Sequence, residues 1–203
     1  YMLLHLRQEQ LARAQFPLGE SLKAEVASEA RRLSLPVAQR ESQDVCFISG
    51  GTAEFLEAHI GMTPGPIVDS EGSRLGTHRG LPLYTVGQRH GLDIGGTPRL
   101  YVLRKDMGSN SLVVGTRELL ERRSFAVPEP NWVSIGPPAP GEVMRCEVMV
   151  RYRGKPIAAE VLVAADGGCG VSLADHEQAI APGQGAAFYD VDGYLLGGGV
   201  IGW

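Results

Sequence analysis

Cys46 stands in the run "ESQDVCFISGG", residues 41 to 51. A thiol between a polar, acid-containing stretch and a Ser-Gly-Gly turn has three chemistries open to it: small core hydrophobe, metal ligand or nucleophile. A lone cysteine in a strand most often packs as a small apolar group. A metal ligand needs close Cys or His neighbours, and the sequence has no such cluster. A Cys–His pair needs a histidine beside the thiol in space. His5, His59, His78, His90 and His176 are scattered, and none lies at a motif-like distance from Cys46. The other two cysteines read as structural. Cys146 alternates with Val148 and Val150 on one strand face, with Glu147, Met149 and Arg151 on the other. Cys169 lies among glycines at a strand start.

Two further stretches bear on chemistry. "SGGTAE" imitates a phosphate loop of the form Ser-Gly-Gly-x-Asp-Ser, whose backbone N–H groups cradle pyrophosphate. Here Ala53 takes the place of the aspartate and Glu54 that of the serine. A glutamate aimed at phosphate repels it, which argues against nucleotide binding there. From Arg74 to Lys105 the chain carries Arg74, Arg79, Arg89, Arg99, Arg104 and Lys105 against one acid, Asp93. His78, His90, Tyr84 and Tyr101 are interleaved. Cations mixed with aromatics suit phosphate contact and base stacking; a solvated basic face is the plainer reading.

The elements that must hold these groups change character along the chain. Residues 1 to 16 read as a helix stopped by Pro17. A second helix after Gly19 lines up Leu22, Val26, Ala30 and Leu33, and ends before Pro36. "VCFIS" reads as a short strand. Thr52 is a suitable cap for a helix with Phe55, Leu56, His59 and Ile60 on one face. After that the helical period is lost. Two hairpins are expected, one around "PIVDSEGSRLG" and one in "LYVLRKDMGSNSLVVG" with its turn at residues 108–110. From Ser124 short strands recur at regular spacing, as in a small closed barrel or sandwich. The seams fall near residues 53 and 121.

Composition sets the outer bounds. The 203 residues suffice for one large or two small cores, and 27 glycines with 13 prolines favour a turn-rich β protein. A net charge of -4 excludes a uniformly basic nucleic-acid surface but not a local patch. Three widely spaced cysteines are not a secreted disulfide framework. No stretch of the sequence has the look of a signal peptide or a membrane span.

Four blocks occur in order: "ESQDVCFI", "GTHRGLPLYTVGQRHGLDIGG", "VMVRYRGKP" and "APGQGAAFYDVDGYLLGGGVI". Together they closely resemble the tRNA-specific 2-thiouridylases, over the length from Tyr1 to the end. The resemblance implies an enzyme that replaces the C2 oxygen of the wobble uridine with sulfur. ATP, with magnesium, adenylates that oxygen; a cysteine persulfide then delivers sulfur, and a second cysteine in an N-terminal ATP-binding domain assists release. It implies that Cys46 is the persulfide carrier and that Arg151, Tyr152 and Gln184 contact tRNA. Arg89 joins them from the cationic segment. Read as residues alone, Tyr152 suits barrel packing and Gln184 suits a turn.

The implied partners are the anticodon region of tRNA and a sulfur-relay donor protein, with neither membrane nor DNA. The implied setting is the cytoplasm, and a disulfide bond belongs to the family's features. The implied fold is mainly β with an N-terminal helical portion. Residues 1–53 are expected as the edge of an α/β ATP-binding domain, 54–120 as a central α+β tRNA-binding domain, and 121–203 as a β-barrel like those of translation factors. The family's ATP loop and second catalytic cysteine fall before Tyr1. The chain is therefore expected to be the C-terminal part of such an enzyme, binding no cofactor and unable to adenylate tRNA alone. The alternative is a non-catalytic tRNA-binding module; a structural barrel without an RNA role is a third.

Overall fold

The computed structural model describes residues 1–36, 51–95, 99–178 and 180–202. Cys46 and the "VCFIS" stretch lie outside the described residues. The chain forms two compact units, Glu9–Ile60 on one hand and Tyr1–Gln8 with Gly61–Trp203 on the other.

The Glu9–Ile60 unit is helical. It takes in most of α1 (Gln8–Leu11), then α2 (Lys23–Arg32) and α3 (Thr52–Ile60). At the start of α2 the Glu25 carboxylate accepts the Leu22 N–H at 3.0 Å, satisfying a donor that a helix terminus leaves open. Of the expected stripe, Ala30 is buried, whereas Leu22 and Leu33, which flank the helix, are exposed. Thr52 opens α3 as its first residue. Gly51, at φ 106, precedes it and accepts the Phe55 N–H at 3.1 Å.

The expected helix over residues 1–16 does not form. Only Gln8–Leu11 is α-helical, and residues 2–5 make a turn. The cause lies far away in sequence. The Asn131 side-chain amide donates to the carbonyls of Leu4 and Leu6, at 2.9 and 3.0 Å. A helix needs those carbonyls as its own acceptors. Leu4 is 2% exposed, so an apolar anchor and two hydrogen bonds outweigh a modest helix propensity.

The central sheet holds β1 (Gly65–Val68), β2 (Arg74–His78), β3 (Tyr101–Asp106) and β4 (Ser111–Gly115), in the order β2-β1-β4-β3. Both expected hairpins are present, and a parallel pairing of β1 with β4 joins them. Each hairpin is closed by an aspartate. Asp69 Oδ1 accepts the N–H of Glu71 and Ser73, and Asp106 Oδ1 those of Gly108 and Ser109. Ile67, Val102, Leu112 and Val114 are fully buried, with Tyr84 packed among them.

The second sheet has seven antiparallel strands: β5 (Glu121–Val127), β6 (Asn131–Trp132), β7 (Val143–Met149), β8 (Ile157–Val163), β9 (Cys169–Gln178), β10 (Gly185–Tyr189) and β11 (Leu195–Val200). Their order is β5-β9-β8-β7-β10-β11-β6. The sheet curls until Ala126 of β5 and Gly202 bridge across, the Gly202 N–H donating to Ala126 O at 2.8 Å. The mainly β architecture with an N-terminal helical portion is thus as expected. Alternation is strict in β8, where Ala159, Val161 and Val163 face in and Ala158, Glu160 and Leu162 face out. Phe188, Val127, Val148 and Val161 reach full burial at the centre.

Closure depends on three consecutive glycines in β11. A Cβ at Gly197 would meet Asn131 O at 2.5 Å, one at Gly198 Ala186 O at 2.1 Å, and one at Gly199 Val127 Cγ1 at 2.6 Å. Gly198→Ala is therefore expected to cost about 2 kcal/mol or more, as overpacking against backbone that cannot yield. Gly170→Ala, in open space on β9, is the control. Urea melts of both measure this; equal midpoints would contradict it.

Cys146 and Cys169 are free thiols inside the barrel core, 6% and 3% exposed, as the strand pattern predicts. Burial pushes the Cys146 thiol up to about 11 and raises that of Cys169 as well. Little thiolate exists at neutral pH, and thiolate is the reactive form. Iodoacetamide at pH 8 is expected to modify Cys46 in the native protein and spare the two barrel thiols until urea is added. Peptide mapping of Cys146 modified at its unfolded rate would contradict this.

Candidate nucleic-acid interface

At the end of β7 the chain turns through Arg151, Tyr152 and Arg153 before β8. The strand expected through "RYR" stops at Met149, so these three residues form a turn. Arg153 takes φ 61, and the Gly154 N–H returns to Arg151 O at 3.0 Å. In a strand Tyr152 would alternate into the sheet. In the turn it is 59% exposed, which rules out barrel packing as its main role. The Arg153 guanidinium lies over the Tyr152 ring, 5.3 Å from its centroid, a cation–π arrangement. Arg151 Nη2 pairs with Glu177 Oε1 of β9 at 3.3 Å. That pair keeps the Arg151 side chain half out in solvent, within reach of an anion that competes with the carboxylate.

Gln184 closes the turn into β10. Its N–H donates to Ala181 O, and its carbonyl accepts the Ile201 N–H at 2.7 Å. Gly183 takes φ 85 there, a left-handed value that glycine adopts freely. The Gln184 backbone is thus fixed and its side chain half-buried.

Tyr1 connects these two turns. Its hydroxyl donates to Gly185 O at 2.9 Å, beside Gln184. Its ring centroid lies 6.3 Å from that of Tyr152, tilted by 46°. Burial pushes the Tyr1 hydroxyl up, opposed in part by the Gly185 bond. Burial, then Tyr1 itself, pushes up that of Tyr189. Both therefore remain neutral hydrogen-bonding groups at physiological pH.

In the central sheet the cationic segment is only partly available to a ligand. Arg104 pairs with Asp106 at 3.1 Å. The Asp106 carboxyl is held below its ordinary range by the Ser109 N–H and then by Arg104. Arg74 turns back onto Gly76 O and Thr77 Oγ1. Two of the interleaved groups are not on the surface. His78 is 1% exposed, its Nε2–H donating to Asn110 O at 3.0 Å. Tyr84 is 5% exposed and meets His78 edge-on at 5.9 Å. Both are core residues, because the loop that carries Tyr84 covers the sheet. His90 remains exposed.

Arg89 is exposed and lines an open cavity of about 280 Å³ with Arg99, Asp93 and Leu100. Neither arginine makes an ion pair among the described residues. Gln88 holds their loop. Its Oε1 accepts the Thr85 N–H and its Nε2 donates to His90 O, both at 2.9 Å. Its backbone carbonyl accepts the Val102 N–H.

The structure thus gathers Tyr152 and Gln184 around Tyr1, with Arg151 beside them, and leaves Arg89 apart, on the loop between β2 and β3. Cys46 lies outside the described residues. Sequence reasoning missed Arg153, Tyr1 and Gln88. Arg153 was visible in the "RYR" triplet. Tyr1 gave no signal, since its partners lie more than 150 residues away. Among the described residues no group of three or more His, Cys, Asp or Glu is placed to hold a metal ion. No described helix is long and apolar enough to cross a membrane.

Three family models match in succession along the chain. The tRNA methyl transferase HUP domain matches residues 1–50, its PRC-barrel domain residues 53–116, and the aminomethyltransferase β-barrel domain residues 122–201. The tRNA-specific 2-thiouridylase MnmA of Chloroflexus aggregans is 47% identical over 99% of this chain and 56% of its own length. Proteins of the same name from a Synechococcus strain and from Heliobacterium modesticaldum are 43% and 41% identical, over 55% and 53% of their lengths. The chain spans about half the length of the curated relatives it matches. With the three segments in this order and identities at this level, the chain belongs to the tRNA 2-thiouridylase family.

Proposed function

We propose that this chain holds tRNA for thiolation at C2 of the wobble uridine, and that Cys46 carries the sulfur as a persulfide. The observation that supports it most is the Arg151–Tyr152–Arg153 turn. A large aromatic ring stands out from the barrel under the Arg153 guanidinium, and Arg151, paired with Glu177, precedes it in the turn. Such a ring gives a base a stacking face, and the arginines give its phosphates a partner. Gln184, anchored beside Tyr1, adds a hydrogen-bonding side chain of fixed origin. Arg89 and Arg99 supply a second cationic contact from the loop between β2 and β3. ATP supplies the leaving-group chemistry in this reaction. The part proposed for the described residues is to bind and orient RNA. A sulfur-relay protein is the proposed donor to Cys46.

Two measurements test this reading. Binding of an unmodified tRNA transcript is expected to weaken steeply with salt, as neutralised phosphates release counterions. Arg89→Ala and Arg151→Ala are each expected to cost about 1 kcal/mol, the scale of a partly exposed charge contact. No binding at low salt would sink the proposal for this chain.

Cys46→Ser, in a protein of the relatives' full length, is expected to abolish 2-thiouridine while leaving tRNA binding unchanged. A serine oxygen cannot carry a persulfide. Mass spectrometry of the tRNA reads the outcome. Normal thiolation by that variant would leave the chain as a tRNA-binding module without a catalytic role.

A further inference from the structure

The first eight residues are part of the barrel unit, although the HUP-domain match covers them. Leu4 is 2% exposed and its Cδ2 approaches the site of a Gly185 Cβ to 3.1 Å. Asn131 of β6 donates to Leu4 O and Leu6 O, and the Gln8 side chain donates to Val133 O. The strap is therefore tied to the barrel at each end and in the middle. At its outer end Tyr1 touches both barrel elements proposed to meet tRNA. Its ring is tilted against Tyr152, and its hydroxyl holds Gly185, the residue after Gln184.

We infer that Tyr1 is a positioning residue for tRNA: the strap uses it to hold Tyr152 and the Gln184 turn in one fixed arrangement. This rests on the reading of Tyr152 and Gln184 as tRNA contacts. The physical need is plain. Tyr152 sits on a turn with no strand hydrogen bonds and is mostly in solvent. An exposed ring that must order on binding gives up part of its contact energy as lost rotamer freedom. Arg153 covers part of the ring but is itself a flexible side chain. Tyr1, tethered at its hydroxyl and through a strap with a buried leucine, is the rigid neighbour. The carbonyl it holds belongs to the residue next to Gln184, so one side chain sets the spacing of two contacts.

The test is a double-mutant cycle on the 203-residue chain, reading the Kd for an unmodified anticodon stem-loop transcript, with Tm recorded for each variant. Tyr152→Ala is expected to weaken binding by about tenfold, the lower range of one base–aromatic stack. Tyr1→Ala is expected to weaken it about fivefold, and to add nothing in the Tyr152→Ala, Gln184→Ala background, because it acts through those residues. Tyr1→Phe keeps the ring and loses only the bond to Gly185. Its smaller loss is expected to vanish in a Gln184→Ala background. Asn131→Ala frees the strap without touching Tyr1, and is expected to reproduce the Tyr1→Ala loss; with Tyr1→Phe it decides the matter should Tyr1→Ala fail to fold.

A Tyr1→Ala effect that persists undiminished in the multiple variant would overturn the inference, since Tyr1 would then act on its own. Wild-type binding by Tyr1→Ala and Asn131→Ala beside a weakened Tyr152→Ala would overturn the inference alone. Wild-type binding by both Tyr152→Ala and Gln184→Ala would overturn the reading of the contacts, and the inference with it.

Discussion

The barrel exists because three residues of β11 have no side chains. Gly197, Gly198 and Gly199 each lie where a Cβ would strike a neighbouring strand or the segment leading to β6. Their absence of bulk lets β10 and β6 approach β11 from its two sides, and lets Val127 of β5 pack over it. The curl then brings Ala126 and Gly202 together, and the two exchange backbone hydrogen bonds across the gap. The turn into β10, with Gln184, is also fixed by this closure, since it exchanges backbone bonds with Ile201 just after β11. Placement of a candidate contact thus traces back to a glycine run some fifteen residues away in sequence.

The barrel strands were legible because their information is local. Inward and outward residues alternate with period two, and Cys146, Val148 and Val150 obey that rule in sequence and in space. The hairpins were legible for the same reason, as Asp69 and Asp106 carry the turn chemistry beside the strands they join. What failed was set by distant partners. Residues 1–6 have a helical pattern, but Asn131 takes two of their carbonyls. The parallel pairing of β1 with β4 has no local signature at all. "RYR" continues the apolar–polar alternation of β7, and only the positive φ of Arg153 marks the turn that follows.

The cationic segment teaches a related lesson about counting charge. Six basic side chains in one stretch read as a single surface. Folding divides them by what stands opposite. Arg104 meets Asp106, two residues further along the same strand, and Arg74 is spent on its own strand. Arg89 and Arg99 keep their charge for a shared cavity, on a loop held by Gln88. His78 and Tyr84, which looked like part of the same surface, are what the loop rests on. A linear charge tally cannot make that separation, because pairing depends on register and turn geometry.

The two thiols sealed in the barrel core have a consequence for fidelity. Sulfane sulfur passes readily from one thiolate to another, so a protein that handled it with several accessible thiols would lose part of each load to dead ends. Here Cys146 and Cys169 face the core on neighbouring parts of the sheet, nearly without solvent contact and with their ionisation suppressed. The barrel is therefore inert toward such exchange. In the proposed reaction, the barrel would then lie against a persulfide without diverting the cargo into itself.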